Sequence, residues 1–377
     1  MLELMLSEPE VPAELVTDDW AVVQQFLPEG WQEQARKSGA LQRTLRGVDG
    51  PEALLRILLI HLAAGCSLAE TAVRAREAGF GKLSSVALFK RLRAAEEWLR
   101  WLAAEERVLL GQDAPVTARC LRAVDATVVS EPGSTGTDWR IHYAINLTNL
   151  QCDFFELTDV TGGETWRRFP IQAGDILLGD RVYANPPGVA HVLSGQGEVV
   201  VRLNRSSLPL YEKRGTRLDV LKAMAKLKVD EVLDRPAWVH HGKQRLAGRL
   251  IAVRRSAEAT RAERERLTRK ASKQQKEVSA ESWQAAQYIM LWTSLPATTG
   301  AEETLEFYRC RWQIELSFKR LKSILGLGHL PKKDPASARA WLHGKLLTGL
   351  LVERMIAAAD TFSPWGYRLG VSSFPLA

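Results

Sequence analysis

Along residues 1–115 apolar side chains recur at three and four positions with little alternation, a pattern that predicts helices. Pro51 follows the Asp49–Gly50 break and sits where a first helical turn tolerates proline. The helix it opens runs to about Ala64 and stops at Gly65. Ser67-Leu-Ala-Glu70 is a capping box ahead of a helix over Thr71–Ala78. Gly79 and Gly81 break that helix. Ser84 and Ser85 cap the next, which is expected to run from Val86 to about Glu106. Two helices across a glycine-containing turn resemble a helix-turn-helix, and the second carries Lys90, Arg91, Arg93 and Arg100. A plain helical hairpin with a solvated basic face fits the same pattern.

The texture changes near residue 118. Leu121–Val129, Trp139–Leu147 and Phe154–Val160 read as strands, with turn material at Glu131–Gly136 between the first two. Ile176–Leu178 is a short apolar run closed by Gly179-Asp180, Val189–Ser194 is helical, and Glu198–Leu203 is a buried strand. Strands in a meander, then strands alternating with helices, predict a mixed α/β sheet. From about 206 the pattern shifts again. Trp238–Arg254 has strand patterning, Ala257–Lys276 reads as a solvated, highly charged stretch, and Tyr288–Ser294 is a strong strand. Helices resume after Gly300, and Thr361–Ala377 shows no period and is expected to fray.

Composition narrows the class without fixing it. Of 377 residues, 46% are hydrophobic and 25% charged, ordinary globular usage. The formal net charge of +7 is compatible with a polyanionic partner. Cys66, Cys120, Cys152 and Cys310 are isolated, which excludes a disulfide scaffold or zinc finger and fits a reducing cytosol. Met1–Pro12 carries Glu3, Glu8 and Glu10 where a signal peptide needs Lys or Arg. The longest apolar run, Leu54–Ala64, contains Arg56 and His61 and is about half of a ~20-residue membrane span. A cytoplasmic chain without membrane contact is expected.

The informative segment is Tyr308-Arg-Cys-Arg-Trp-Gln-Ile-Glu-Leu-Ser-Phe-Lys-Arg-Leu-Lys322. On a regular helix Tyr308, Arg311, Glu315 and Lys322 fall within roughly 60° of arc. Trp312 and Lys319 border that stripe on one side, and Ile314, Phe318 and Leu321 adjoin it on the other, suited to packing on a sheet. A surface helix with the pairs Arg311–Glu315 and Glu315–Lys319 would account for the charges alone. Two further acids change the weighing. Asp125 lies inside the apolar strand Ala123–Val129, where a buried carboxylate is costly unless a cation or metal pairs with it. Asp180 ends a buried strand and points toward the crevice where α/β sheets bind ligands. Two strand acids and one helix acid suggest a shared site for a hard cation such as Mg²⁺.

Asp125, Asp180 and Glu315 match the D…D…E order of DDE transposases. The spacing Y-x2-R-x3-E-x6-K, met by Tyr308, Arg311, Glu315 and Lys322, resembles the signature of the IS4 family of bacterial insertion-sequence transposases. Asp180-Arg-Val-Tyr183 is similar to the motif around that family's second Asp. The resemblance implies an RNase H-like mixed sheet core with a mostly β insertion domain and an α-helical N-terminal DNA-binding domain. The expected divisions are 1–115 for the helical domain, 116–205 and 296–360 for the two parts of the core, 206–295 for the insertion and 361–377 for the tail. It also implies two Mg²⁺ ions, with Mn²⁺ as a substitute: Asp125 bridging both, Asp180 and Glu315 each completing one site. Tyr308, Arg311 and Lys322, with Lys319 and Arg181 beside them, would hold phosphates near the cut end. The partners implied are the inverted repeats at the element's ends, target DNA and a second copy of the chain, as a homodimer in the end complex.

The resemblance departs at one point. Well-studied relatives stack a tryptophan of the insertion on a flipped base. Here Ile289 occupies that position, and the nearby Trp283 and Trp292 read as core. His240 and His241 are adjacent, so in a strand they face opposite ways and do not share a metal, and no G-x-S-x-G elbow is present. A stand-alone metal-dependent nuclease, or a domesticated copy that only binds DNA, would share most of these features.

Overall fold

Six helices precede the first strand in the computed structural model, which describes residues 20–41, 47–112 and 120–361. They are α1 (Trp20–Gln25), α2 (Trp31–Lys37), α3 (Gly50–Leu62), α4 (Leu68–Glu77), α5 (Ser85–Ala94) and α6 (Glu96–Gln112). The caps are those expected: Ser67 Oγ accepts from the Glu70 N–H and Ser84 Oγ from the Ala87 N–H, both at 3.1 Å. The helix expected over 86–106 is instead two. The chain turns at Ala95, and α6 starts afresh with Glu96 and Glu97 in its first turn, favourable against the helix dipole. Glu96 is there ion-paired with Arg339. The basic residues are thereby divided between two helices. Arg93 is bound to Asp334 at 3.1 Å and Arg100 to Glu97.

The sheet follows. Its strands are β1 (Leu121–Val129), β2 (Trp139–Asn146), β3 (Gln151–Asp159), β4 (Ile176–Gly179) and, after α7 (Pro186–Ser194), β5 (Glu198–Arg202). The segment 206–295 then contributes α8 (Val220–Met224), β6 (Val232–Pro236), a small hairpin of β7 (Val239–His241) and β8 (Gln244–Leu246), β9 (Arg249–Arg254), α9 (Ala257–Lys273), α10 (Ala280–Ala285) and β10 (Tyr288–Thr293). One mixed eight-stranded sheet has the order β3-β2-β1-β4-β5-β10-β9-β6. β1–β4 and β4–β5 are parallel, and the other pairs are antiparallel.

Two expectations about 206–295 are corrected by this arrangement. Its main strands, β10, β9 and β6, extend the same sheet as β1–β5. Nor is the segment mostly β: its helical residues outnumber its strand residues, because the charged stretch is the 17-residue α9. Ala, Glu, Arg and Lys are good helix formers whatever their solvation, Ser256 caps the first turn, and Glu263–Arg266 pairs along it.

After β10 come α11 (Ala301–Cys310), α12 (Gln313–Lys319), a π-helical turn over Arg320–Ile324 and α13 (Pro335–Thr361). The Tyr308–Lys322 segment is therefore not one regular helix. At Arg311–Trp312 it tightens: the Ile314 N–H bonds to Arg311 O at 3.2 Å and the Glu315 N–H to Trp312 O at 3.0 Å, three residues back instead of four. At 320–324 it widens. Beyond Thr361 the expected frayed tail lies outside the described residues.

Among the described residues the amino-terminal helices share their core with the rest of the chain. Trp31, Leu54, Leu58, Leu92, Trp98 and Leu102 join one apolar cluster with Ile141 and Tyr143 of β2, Leu342 and Leu346 of α13, and Ile314, Phe318 and Leu321. Trp31 stacks on Trp98 at 6.1 Å, and the Trp98 indole donates to Trp31 O at 2.9 Å. The other face of the sheet carries Trp166, Phe169, Tyr183, Val199 and Trp292. No described helix is long and apolar enough to cross a membrane.

Candidate active site

β1 and β4 set the geometry. Their parallel register pairs Ala123 with Leu178. Carried two residues on, it places Asp125, in the middle of β1, beside Asp180, which follows the carboxyl end of β4, the side on which such sheets hold ligands. Asp125 Oδ1 accepts from the Ala126 N–H, and Asp180 Oδ1 from the Val182 N–H, each at 2.8 Å. The turn that presents Asp180 is fixed from beneath. The buried Trp166 indole donates to Tyr183 O at 2.7 Å. A Cβ on Gly179 would come within 2.6 Å of the Trp166 ring, so only glycine lets β4 pass there.

Glu315 reaches the strands through Arg311. Arg311 Nη2 donates to Glu315 Oε1 at 2.6 Å, and its Nη1 lies 3.4 Å from Asp125 Oδ2. The guanidinium is 14% exposed, whereas the Glu315 side chain is 60% exposed. Ile314 and Phe318 point the opposite way, Phe318 against Tyr143 at 5.8 Å, which seats α12 on the sheet as its apolar pattern predicts. Tyr308 stands under Arg311, whose Cζ is 5.9 Å from the ring centre, and burial pushes the phenol up.

The remaining sequence candidates fall further out. Lys319 is exposed, and Glu315 pairs with Arg311 in its place. Lys322 lies on the π-helical turn with its methylenes against Gly328, and burial lowers its ammonium. Arg181 turns from the carboxylates toward Glu263 of α9, at 4.0 Å. Glu263 gathers Arg202, Arg255 and Arg266 as well, at 3.8, 3.5 and 2.7 Å. Trp292 is core, its indole donating to Ala237 O, but Trp283 is 42% exposed beneath Arg264 and is not core.

One acid that sequence reasoning missed belongs to the site. Glu164, in the loop after β3, pairs with Arg140 at 3.5 Å and interacts electrostatically with both strand acids. Burial first, then the carboxylates of Asp180 and Glu164, push Asp125 up to about 6, against the Ala126 N–H and Arg311. Glu164 itself is raised by burial and by Asp180. Tyr183, whose Oη is buried without a partner, feels all three acids. The Gly162-Gly163-Glu164 turn offers no periodic signal by which to find it.

Among the described residues no three His, Cys, Asp or Glu side chains are grouped so as to hold a metal ion. The donor chemistry still suits one. Hard carboxylates lie near one another, and beside burial the charges of Asp180 and Glu164 raise Asp125, while Arg311 and Arg140 offset them in part; a divalent cation would relieve that crowding.

The chain matches the family described as "Transposase DDE domain" over residues 117–351. It is 33% identical over 357 residues to the Escherichia coli transposase InsL of insertion sequence element IS186A, across 92% of this chain and 96% of that protein. It is equally close, over 358 residues and the same shares, to the Escherichia coli transposase for insertion sequence element IS421. Among solved structures, a piggyBac transposase synaptic complex with hairpin DNA aligns with 91% of this chain and 76% of its own, at 9% identity and a TM-score of 0.49. The protein is a DDE transposase and belongs to the IS4 family of insertion-sequence transposases.

Proposed function

We propose that this transposase cleaves DNA at the ends of its own insertion sequence and joins the freed ends to target DNA by in-line phosphoryl transfer, using Mg²⁺ on an RNase H-like core. The reading is carried by one observation: Asp125 in the middle of β1 lies beside Asp180 just past the end of the parallel β4, and Arg311 ties Glu315 to Asp125. Asp125, Asp180 and Glu315 are the residues that would hold the metal. Bound there, divalent ions supply Lewis-acid activation and charge neutralisation for phosphoryl transfer.

The chain's own groups do the rest. Trp166 and Gly179 hold the Asp180 turn in place, so the carboxylate is presented without a rotamer search. Tyr308 and Arg311 offer a hydroxyl and a planar cation to backbone phosphate, positioning the strand without reading its sequence. Lys322 and Lys319 extend that cationic line along the helix. Two copies of the chain would pair to bring two ends together.

The test is a cleavage assay on a plasmid carrying the gene's flanking DNA, with Mg²⁺, with and without EDTA, beside an Asp125→Ala protein. Metal-dependent cuts at two defined flanking positions, absent from the variant, are expected. Random nicking would replace this reading with a stand-alone nuclease.

A further inference from the structure

Arg311 occupies the position from which a cation would serve the carboxylates. Its guanidinium is largely buried, donates to Glu315 at 2.6 Å, and reaches Asp125 at 3.4 Å. Of the two acids it touches, one comes from β1 and the other from α12, so this one side chain bridges both sides of the strand–helix junction. Both oxygens of Asp125 already have a partner: Oδ1 takes the Ala126 N–H and Oδ2 faces the Arg311 cation, which a metal at Oδ2 would have to displace or repel.

The two contacts differ in strength. The Glu315 bond is short and links i to i+4 within one segment, so it is expected to persist. The Asp125 contact is long, and a phosphate oxygen is a charged acceptor that can compete for the same Nη1. The Arg311 side chain is itself 14% exposed, and its neighbours Trp312 and Glu315 face solvent at 51% and 60%.

We infer that Arg311 is a resident cation that closes the carboxylate site to divalent metal until backbone phosphate draws it off Asp125, so that metal capture depends on DNA. The inference rests on the proposed metal role of Asp125 and Glu315. DNA and metal then bind with positive coupling, and each raises the other's affinity by the same factor.

The experiment titrates Mn²⁺ into the full-length protein, following free Mn²⁺ by electron paramagnetic resonance, with and without a short mixed-sequence DNA duplex. The wild-type protein should bind Mn²⁺ about tenfold more tightly when the duplex is present. Arg311→Gln should bind Mn²⁺ about that tightly without DNA, and the duplex should add less than about twofold. Arg311→Lys keeps the charge but cannot span both carboxylates, and it should fall between the two. It also serves if the glutamine variant does not fold. Equal Mn²⁺ affinity in wild type and the folded variant, without DNA, overturns the inference. Asp125→Ala in the Arg311→Gln background separates the two failures: it should abolish the gained affinity, and undiminished binding there would mean that the metal reading of the acids is wrong as well.

Discussion

Arg311 and Asp125 meet at 3.4 Å although 186 residues separate them, and that contact joins the helical end of the chain to the first strand of the sheet. It links Asp125 to Glu315, two of the three acids proposed to hold the metal, through one guanidinium. Consequences follow for substitutions at the site and for the packing that holds it.

Glu315→Gln keeps size and hydrogen bonding to Arg311 but removes a negative donor. Cleavage should fall at least about a hundredfold, while binding of the element's ends stays within about twofold. Gel-shift and cleavage assays on the same preparation separate the two effects. Near-normal cleavage would remove Glu315 from the metal site.

Lys322→Ala removes a partly buried ammonium from the line of the helix. If it contacts phosphate, end binding weakens and the slope of log affinity against log salt falls by about one. An unchanged slope returns Lys322 to a plain surface helix.

Gly179→Ala pushes a methyl group into the Trp166 ring directly before Asp180. Overpacking of this kind costs about 1–3 kcal/mol, so the melting temperature should drop. Cleavage should drop further than stability explains, because the Asp180 turn is displaced. A variant with reduced stability but unaltered cleavage below its melting range would show that the turn tolerates the shift.

Glu353 on α13 accepts from the Cys152 N–H at 3.1 Å, and burial pushes its carboxyl up to about 7 against that bond and Arg320. The folded state thus holds this proton more tightly than the unfolded chain. The group's stabilising contribution is complete below the ordinary glutamate range and is lost as pH rises through about 7, a change on the order of 3 kcal/mol. Glu353→Gln should lack this loss, so thermal unfolding of the two proteins from pH 4 to 8 should give curves that converge at low pH and separate above it. Parallel curves would show that Glu353 is ionised throughout.

Much of the fold and the site is legible in the amino-acid sequence. Leu121–Val129, Ile176–Leu178 and Tyr288–Ser294 read as strands because buried strands are uniformly apolar, and an aspartate in or after such a run stands out. Ile314, Phe318 and Leu321 identify the buried face of the glutamate helix. The rest lacks a local signature. Glu164 sits in a glycine turn and reaches the site only through chain folding. The breaks at Ala95 and Arg311–Trp312 lie beside ion pairs with partners distant in sequence, Glu96 with Arg339 in one case and Arg311 with Asp125 in the other. Charge in α9 reads as solvation, whereas its Glu263 is 9% exposed and surrounded by arginines.

α13 has a bearing on how the protein comes to exist. Its Leu342 and Leu346 fill the space among helices synthesised some 250 residues earlier, and β10 completes a sheet begun at β1. The amino-terminal helices therefore leave the ribosome with apolar surfaces that nothing yet covers. Such late, distant closure makes for slow folding, with a vulnerable interval in which the half-made chain depends on chaperones to stay out of aggregates.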